Sequence, residues 1–232
     1  MIVTQPATTN LLIAFPSWVA QYCNPTSVVL DVGAGRGRLK SPAIIKECAG
    51  SLVGVDPDPA ITQNPYLDER YCSSIEDFAK EAEGRFDLLY SMMVLEHVTQ
   101  PRAFFSACRS LLKPGGMFFA VTPNLWHYFG LTTKLCATLN LEEWVLDRLI
   151  GKSRKEEYHF PTAYRVNSVR AIQRMLMQTG FRDVEFQCFD QPFSYNYLVP
   201  KRLRCFPQMY SRAIYMLNMP HLMGHIMFRA TV

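Results

Sequence analysis

Long apolar runs are missing from this chain of 232 residues. It has no stretch of about 18 uncharged apolar residues, so the sequence predicts no membrane-spanning helix. The N-terminal segment MIVTQPATTN lacks the basic region that opens a secretory signal peptide. These two absences predict a soluble, cytoplasmic protein, and they leave peripheral contact with a membrane surface open.

Paired cysteines are missing as well. The seven cysteines are an odd number and include no C-x-x-C pair, which argues against a disulfide framework and against a zinc site. The net charge is only +4, so composition gives no reason to expect nucleic-acid binding. With 49% hydrophobic and 19% charged residues, the chain has the composition of one globular domain with a sizeable core.

The most informative feature present is an apolar run that ends in glycines. Residues 28–32 (VVLDV) predict a buried strand, and Gly33, Gly35 and Gly37 follow it directly. A second apolar run ends in another carboxylate, Asp56. Strand, glycine turn, helix, strand and acid form the layout of a nucleoside-binding half of a doubly wound sheet, in which the acid accepts hydrogen bonds from a ribose.

Two residues separate the candidate ligands. A dinucleotide fingerprint needs its third glycine at position 38, where this chain has Arg38. Asp31 lies two residues before the first glycine, where a carboxylate would repel a pyrophosphate but suits the ammonium and sulfonium of S-adenosylmethionine. The pattern therefore disfavours a nicotinamide-dependent oxidoreductase, which stays a distant alternative.

The rest of the chain alternates strands with helices, which predicts a mostly parallel sheet covered on both faces. The predicted helices are 10–23, 39–49, 101–112 and 168–180, with a further one near 141–150 and a serine-capped one opening at 74. The predicted strands after the first are 52–56, 71–72, 86–90, 117–121, 181–189 and 225–232. The sequence KPGG at 113–116 predicts a break before the fifth of these seven strands.

Three motifs give the chain a family resemblance. The pattern LDVGAGRG at 30–37 resembles motif I of the class I S-adenosylmethionine-dependent methyltransferases, in particular their bacterial type 11 and type 23 members. FDLLYSMMVLEHV at 86–98 and LLKPGGMFFAVTPN at 111–124 resemble the later strand motifs of the same family. The resemblance implies an α/β fold: a doubly wound, seven-stranded, mostly parallel Rossmann-like sheet with an antiparallel last strand.

S-adenosylmethionine is the cofactor that this resemblance implies. Asp31 would face the methionine end, Asp56 the ribose, and the segment around Ser74 the adenine. Ser74 stands where the family often has an acid that contacts adenine. Because serine replaces the acid here, the backbone and Ile75 are expected to make part of the contact with adenine. The full set of implied cofactor contacts is Asp31, Gly33, Ala34, Gly35, Asp56, Pro57, Ser74, Ile75 and Met92.

The catalytic candidates are histidines. His97 lies in a Glu96–His97 dipeptide just past the predicted fourth strand. It could act as a general base, position the acceptor, or make a structural hydrogen bond. A metal-dependent subgroup of the family carries ExxEH, and this chain has Met93 at the first position, so no metal is expected. His159 and His127 lie in aromatic segments and could contact the acceptor or pack.

Two insertions, at about 125–165 and 190–222, are predicted to form a helical and aromatic cap on a single domain spanning 1–232. Tyr128, Tyr158 and Tyr164 could line an acceptor pocket there or stabilise the cap. The basic stretch 201–206 could meet anionic lipid headgroups or form a solvated surface.

The sequence therefore predicts a methyltransferase that acts on a small-molecule, lipid-like or glycan-linked acceptor. Because no obvious catalytic base is present, a catalytically silent binding module of the same fold, acting through protein partners, stays an alternative. The chemistry of the acceptor is not readable from the sequence.

Overall fold

One eight-stranded sheet organises the chain in a computed structural model that describes residues 2–37, 41–139, 162–192, 199 and 201–232. The strands are β1 (Ile2–Thr4), β2 (Val28–Val32), β3 (Ser51–Asp56), β4 (Glu69–Cys72), β5 (Phe86–Met92), β6 (Leu112–Pro123), β7 (Arg182–Phe189) and β8 (His225–Thr231). The helices are α1 (Leu11–Ala20), α2 (Ser41–Lys46), α3 (Ile75–Phe78), α4 (Pro101–Leu111), α5 (Tyr128–Thr138), α6 (Val169–Gln178) and α7 (Cys205–Met216). Short 3-10 turns occupy Pro59–Gln63, Lys201–Leu203 and Pro220–Leu222.

The strand order is β1-β7-β8-β6-β5-β2-β3-β4. Only β8 runs antiparallel to its neighbours, β6 and β7, which confirms the predicted mostly parallel sheet with an antiparallel last strand. From β2 the chain proceeds outward through β3 and β4, then returns to β5 on the other side of β2. This reversal opens a crevice beyond the carboxyl ends of β2 and β5, the usual ligand position in open α/β sheets.

The sheet has one strand more than predicted. Residues 2–4 pair parallel with β7, in a register that sets Ile2 opposite Phe186, and the Gln5 backbone N–H extends the pairing to the Cys188 carbonyl at 2.9 Å. A strand of three residues cannot be recognised from alternating hydrophobicity, because that pattern needs about four or more residues.

Helix α4 ends at Leu111, just before the KPGG sequence, as predicted, but the next strand begins earlier than the predicted residue 117. β6 begins at Leu112 and runs through the Pro-Gly-Gly segment, because Leu112 pairs with Phe86 and a register shift between Phe86 and Leu88 absorbs the irregular residues. Two predicted helices end earlier than expected, at Ala20 rather than 23 and at Lys46 rather than 49. The helix predicted near 141–150 lies outside the described residues.

Two apolar cores pack on the two faces of the sheet, as the alternation of strands and helices predicts. On one face Phe105, Phe118 and Phe228 are fully buried among residues of α4 and α6. On the other face Trp18 of α1 meets Phe119 edge-on, with ring centroids 5.3 Å apart. Burial of each such aromatic side chain stabilises the fold by roughly 1.5–3 kcal/mol.

The carboxyl ends of β6 and β7 lie at the same edge of the sheet. Pro123 pairs with His225, and His225 pairs with Phe189. Because α5 follows β6 and α7 follows β7, both segments predicted as cap insertions begin at the edge that carries the crevice. None of the described helices is long and apolar enough to cross a membrane.

Candidate active site

The glycine turn after β2 is shaped by two different constraints. Gly33 and Gly37 have φ values of 77° and 73°, a region that costs other residues strain. An added Cβ would lie 2.4 Å from Val94 Cγ2 at Gly33 and 2.5 Å from Asn64 Oδ1 at Gly37. Both positions are therefore glycine because the fold itself leaves no space for a side chain.

Gly35 differs from its two neighbours. Its φ is 50°, but an added Cβ would meet only Asp56 Oδ2 among the described residues, at 3.9 Å. The space beside Gly35 is thus open, as a position that a ligand approaches closely requires. Ala34 is anchored next to it, with its carbonyl accepting from Asn64 Nδ2 at 2.9 Å.

Asp31 is a buried carboxylate on β2. Its Oδ2 accepts a hydrogen bond of 2.6 Å from the Tyr90 hydroxyl of the adjacent strand β5. Burial raises the pKa of Asp31 to about 7, opposed by the Tyr90 hydrogen bond and reinforced by the charge of Asp56. A buried carboxylate with so little compensation favours a cation beside it, and an ammonium or sulfonium has the required charge.

Asp56, at the end of β3, holds the glycine turn. Its Oδ2 accepts from the Gly35 N–H at 2.9 Å and its Oδ1 accepts from the Asp58 N–H at 2.7 Å. Burial raises the pKa of this carboxyl, while the two backbone hydrogen bonds oppose the rise. Each carboxylate oxygen keeps a further lone pair, so both can also accept from ribose hydroxyls. Pro57, the next residue, is exposed.

The segment predicted to meet adenine lies next to Asp56. The Ser73 N–H donates to the Asp56 carbonyl at 3.1 Å, which sets Ser74 and Ile75 at the crevice. Ser74 caps α3: its Oγ accepts from the Asp77 N–H at 3.1 Å and donates to Asp77 Oδ2 at 2.8 Å. The Ser74 side chain therefore serves its own helix, and the buried Ile75 with the local backbone is better placed for a flat adenine ring.

The residues after β5 close the other side of the crevice. Met92 ends the strand half-buried, and Met93 turns the chain with a φ of 57°. The Met93 N–H donates to the Val121 carbonyl at 3.0 Å. Val94 then packs against the space above Gly33. Met92 itself packs against the core beside this turn, and its contact with the cofactor stays a prediction.

Glu96 and His97 have separate environments. Buried Glu96 accepts from Thr122 Oγ1 at 3.1 Å, and Thr122 in turn accepts from Asn167 Nδ2 at 2.5 Å. Burial raises the pKa of Glu96 to about 7, and its backbone carbonyl accepts from the Ala163 N–H at 2.6 Å. Glu96 joins the loop after β5 to β6 and to the segment before α6, while His97 is half-buried beside it.

His127 lies buried directly before α5, with one ring nitrogen in a hydrogen bond and the other beside a carboxylate. Its Nδ1 accepts from the Phe129 N–H at 3.3 Å, which assigns the proton to Nε2. Nε2 lies 3.2 Å from Asp190 Oδ1, too poorly aligned for a regular hydrogen bond. This environment favours the packing role of His127 over direct contact with an acceptor.

Several buried polar atoms of Asp190, α5 and α7 have no hydrogen-bond partner among the described residues. They are both carboxylate oxygens of Asp190, the Tyr128 hydroxyl, Ser211 Oγ and Gln208 Oε1. Burial, with the Asp190 charge adding to it, raises the pKa of Tyr128 and of Tyr210 to about 12. An unpaired buried polar group costs about 1–3 kcal/mol, so a polar ligand group or ordered water would stabilise this region.

Sequence reasoning missed Asp190 and Tyr90. Asp190 directly follows β7, as Asp56 ends β3, so an acid at a strand end was the available signal. Of the predicted cap tyrosines, Tyr164 is buried with a φ of 47°, whereas Tyr158 and His159 lie outside the described residues. No group of His, Cys, Asp or Glu side chains in the described ranges has an arrangement that could hold a metal.

Comparison with known proteins identifies relatives that match part of the chain. The chain is 39% identical over 112 residues to a ubiquinone biosynthesis O-methyltransferase of Xanthomonas campestris pv. campestris, a match that covers 45% of this chain and 46% of the relative. The protein of the same name from Xanthomonas euvesicatoria pv. vesicatoria is 41% identical over 103 residues, covering 41% and 43%. The chain thus spans about half the length of the curated relatives it matches.

Solved structures match nearly the whole fold. A SAM-dependent methyltransferase from Archaeoglobus fulgidus aligns with a TM-score of 0.61 at 18% identity, over 94% of this chain and 92% of that one. Geranyl diphosphate C-methyltransferase from Streptomyces coelicolor A3(2) aligns with a TM-score of 0.59 at 15% identity, over 94% and 76%. A family model described as a methyltransferase domain matches residues 8–185. The chain therefore belongs to this methyltransferase-domain family, and the prediction of a class I S-adenosylmethionine-dependent methyltransferase is confirmed.

Proposed function

We propose that this chain transfers the methyl group of S-adenosylmethionine to an oxygen atom of a bulky, mostly apolar small molecule. The main support for S-adenosylmethionine as the donor is the pair of buried carboxylates, Asp31 and Asp56, together with the open space at Gly35. Oxygen as the methylated atom rests on the relatives, which are named O-methyltransferases. Their names also assign them to ubiquinone biosynthesis, and ubiquinone is a molecule with a large apolar part, which supports an acceptor of that kind.

The residues present fit the donor. Asp31 supplies the negative charge for its cationic end, Asp56 accepts from the ribose, and Ile75 packs against the adenine. When bound, S-adenosylmethionine supplies an already activated methyl group, so the main tasks of the protein are alignment and exclusion of water. Tyr90 takes part by fixing the orientation of the Asp31 carboxylate through its hydroxyl.

An oxygen acceptor must also lose a proton as it attacks the methyl carbon. His97, directly beyond β5, is the proposed base or positioner, since it is half-buried beside the crevice. Glu96 is less suited to contact the acceptor because Thr122 and the 162–167 segment already enclose it. His159 stays a second candidate from the sequence.

The acceptor is proposed to extend from the crevice toward Asp190. Three strand steps separate β5 from β7, which at about 4.8 Å each corresponds to about 14 Å. An acceptor that reaches both the donor methyl and the unpartnered polar atoms at Asp190 must therefore be long. A lipid-like or glycan-linked molecule with a polar group at one end meets this requirement, and the aromatic residues of α5 and α7 would cover its apolar part.

The experiment has a binding arm and a transfer arm. Titration calorimetry should show S-adenosylmethionine and S-adenosylhomocysteine binding without metal, and no binding of NAD. Mass spectrometry of small-molecule extracts after incubation with methyl-labelled donor should then identify a labelled product, lost in His97→Gln while donor affinity is kept. Donor binding without any labelled product would favour the silent binding module, and NAD binding alone would overturn the donor assignment.

A further inference from the structure

Exposed apolar side chains are concentrated on two segments of the described chain. Of thirteen large hydrophobic residues with high exposure, ten lie at 126–139 or 203–219. On the first segment they are Trp126, Leu131, Leu135 and Leu139, between 45% and 59% exposed. On the second they are Leu203, Phe206, Met209, Met216, Leu217 and Met219, between 40% and 81% exposed. Such a concentration on a monomer marks an interaction surface.

The two segments form one surface. The Tyr128 ring of α5 packs edge-on against Phe206 and Tyr210 of α7, with centroids 5.4 and 5.0 Å apart. Phe206 is itself half exposed, so the outer faces of α5 and α7 meet at these rings. α7 is anchored on its other side by the buried residues Pro207, Ser211 and Ile214. We name the joined outer faces of 126–139 and 202–219 the apolar–basic face.

The charges on this face have one sign. Lys134, Arg202, Arg204 and Arg212 are exposed there, and none of them forms an ion pair with a described residue. α5 contains no Asp or Glu, and no acidic residue occurs after Asp190. A second copy of the chain would bring these cations against cations, whereas an anionic surface would neutralise them.

We propose that the apolar–basic face binds the headgroup region of an anionic lipid bilayer. Exposed Leu, Met, Phe and Trp side chains enter the interface while the arginines and the lysine meet anionic headgroups, which is how amphipathic surface helices bind membranes. The face adjoins the carboxyl edge of the sheet, so a bilayer-dissolved acceptor would enter the crevice without crossing water. The proposal concerns this surface alone and does not depend on methyl transfer.

Vesicle flotation with the full chain tests the proposal. The chain should float with vesicles of phosphatidylcholine mixed with phosphatidylglycerol, more weakly at high salt, and much more weakly with phosphatidylcholine alone. The double variant Arg212→Gln/Met216→Ser should reduce the partition coefficient about tenfold, since each arginine near the surface contributes roughly fivefold.

The matched control is Arg174→Gln/Met177→Ser on α6, where an exposed arginine and an exposed methionine are also one turn apart. This control should stay within about twofold of the wild type. Binding of S-adenosylhomocysteine, measured without vesicles, confirms that both variants fold. Failure of the wild type to float with anionic vesicles, or an equal loss in the control, would overturn the proposal. A third outcome is that the wild type does not float but sediments as a dimer, and that Arg212→Gln/Met216→Ser dissociates this dimer. That result would instead assign the face to a second copy of the chain.

Discussion

The two halves of the carboxyl edge satisfy their buried polar groups in different ways. In the half built by β2 to β5, Asp31 is bonded to Tyr90, and Asp56 is bonded to the backbone of Gly35 and Asp58. In the half built by β6 to β8, the carboxylate oxygens of Asp190 and the Tyr128 hydroxyl have no regular hydrogen bond from a described residue, although His127 Nε2 lies 3.2 Å from Asp190 Oδ1. The first half is preorganised, and the second leaves hydrogen-bonding capacity unused.

This difference matches the two ligands of a methyltransferase. The donor is the same molecule throughout the family, so a rigid site with fixed partners suits it. An acceptor differs from one member to another, and its polar groups can supply the partners that the protein lacks. We therefore expect substitutions in the two halves to affect different measurements.

The largest effect on the donor half is expected from Gly35→Val. Among the described residues an added Cβ would meet only Asp56, but the side chain would fill the ligand space, so donor affinity should fall by more than about 150-fold. Strain at a φ of 50° adds a stability loss of about 1–2 kcal/mol. Gly33→Val is the comparison, because its Cβ would lie 2.4 Å from Val94 Cγ2 and should lower the melting temperature further. Wild-type donor affinity in folded Gly35→Val would place the donor elsewhere.

Asp56→Ala should weaken S-adenosylmethionine and S-adenosylhomocysteine alike, because the ribose is common to both. Loss of hydrogen bonds to a charged group costs roughly 1.5–3 kcal/mol, or about 10–150-fold in affinity by calorimetry. Asp58→Ala provides the control, since Asp58 caps the neighbouring 3-10 turn through the Ala60 N–H. Equal losses in both variants would indicate a folding effect rather than a ribose contact.

The pH dependence of donor binding should report Asp31. With a pKa of about 7, its carboxyl is increasingly protonated below neutral pH, so affinity for the cationic donor should fall by up to about tenfold per pH unit there. The stability effect has the opposite sign: a raised pKa means that folding loses stability as pH rises from 3.8 through about 7. Asp31→Asn should flatten the binding profile. Glu96→Gln should keep it, although burial also raises the pKa of Glu96 to about 7.

The smallest effect is expected at Ser74. Ser74→Ala removes the cap of α3 and should cost about 1 kcal/mol of unfolding free energy in denaturant titrations. Donor affinity should change less than about threefold, because the hydroxyl already serves Asp77. An affinity loss of about tenfold would instead assign a side-chain contact with adenine.

The proposed donor half could be recognised in the sequence because its determinants are local. Asp31, the glycines and Asp56 lie within 26 residues of one another, and strand ends and turns have recognisable chemistry. The proposed acceptor half combines His127, Asp190 and His225 through the register of three strands, which no local pattern encodes. β1 was missed for a related reason, since its three residues become a strand only through pairing with β7.

The separation of the two halves is tested most directly by Asp190→Asn, assayed for S-adenosylhomocysteine affinity and for transfer of label from methyl-labelled S-adenosylmethionine into extracted metabolites. Donor affinity should stay within about twofold of the wild type, with label transfer reduced about tenfold or more, as expected when a hydrogen bond to a charged group is lost. Full label transfer, or a loss of donor affinity as large as that of Asp56→Ala, would contradict this separation.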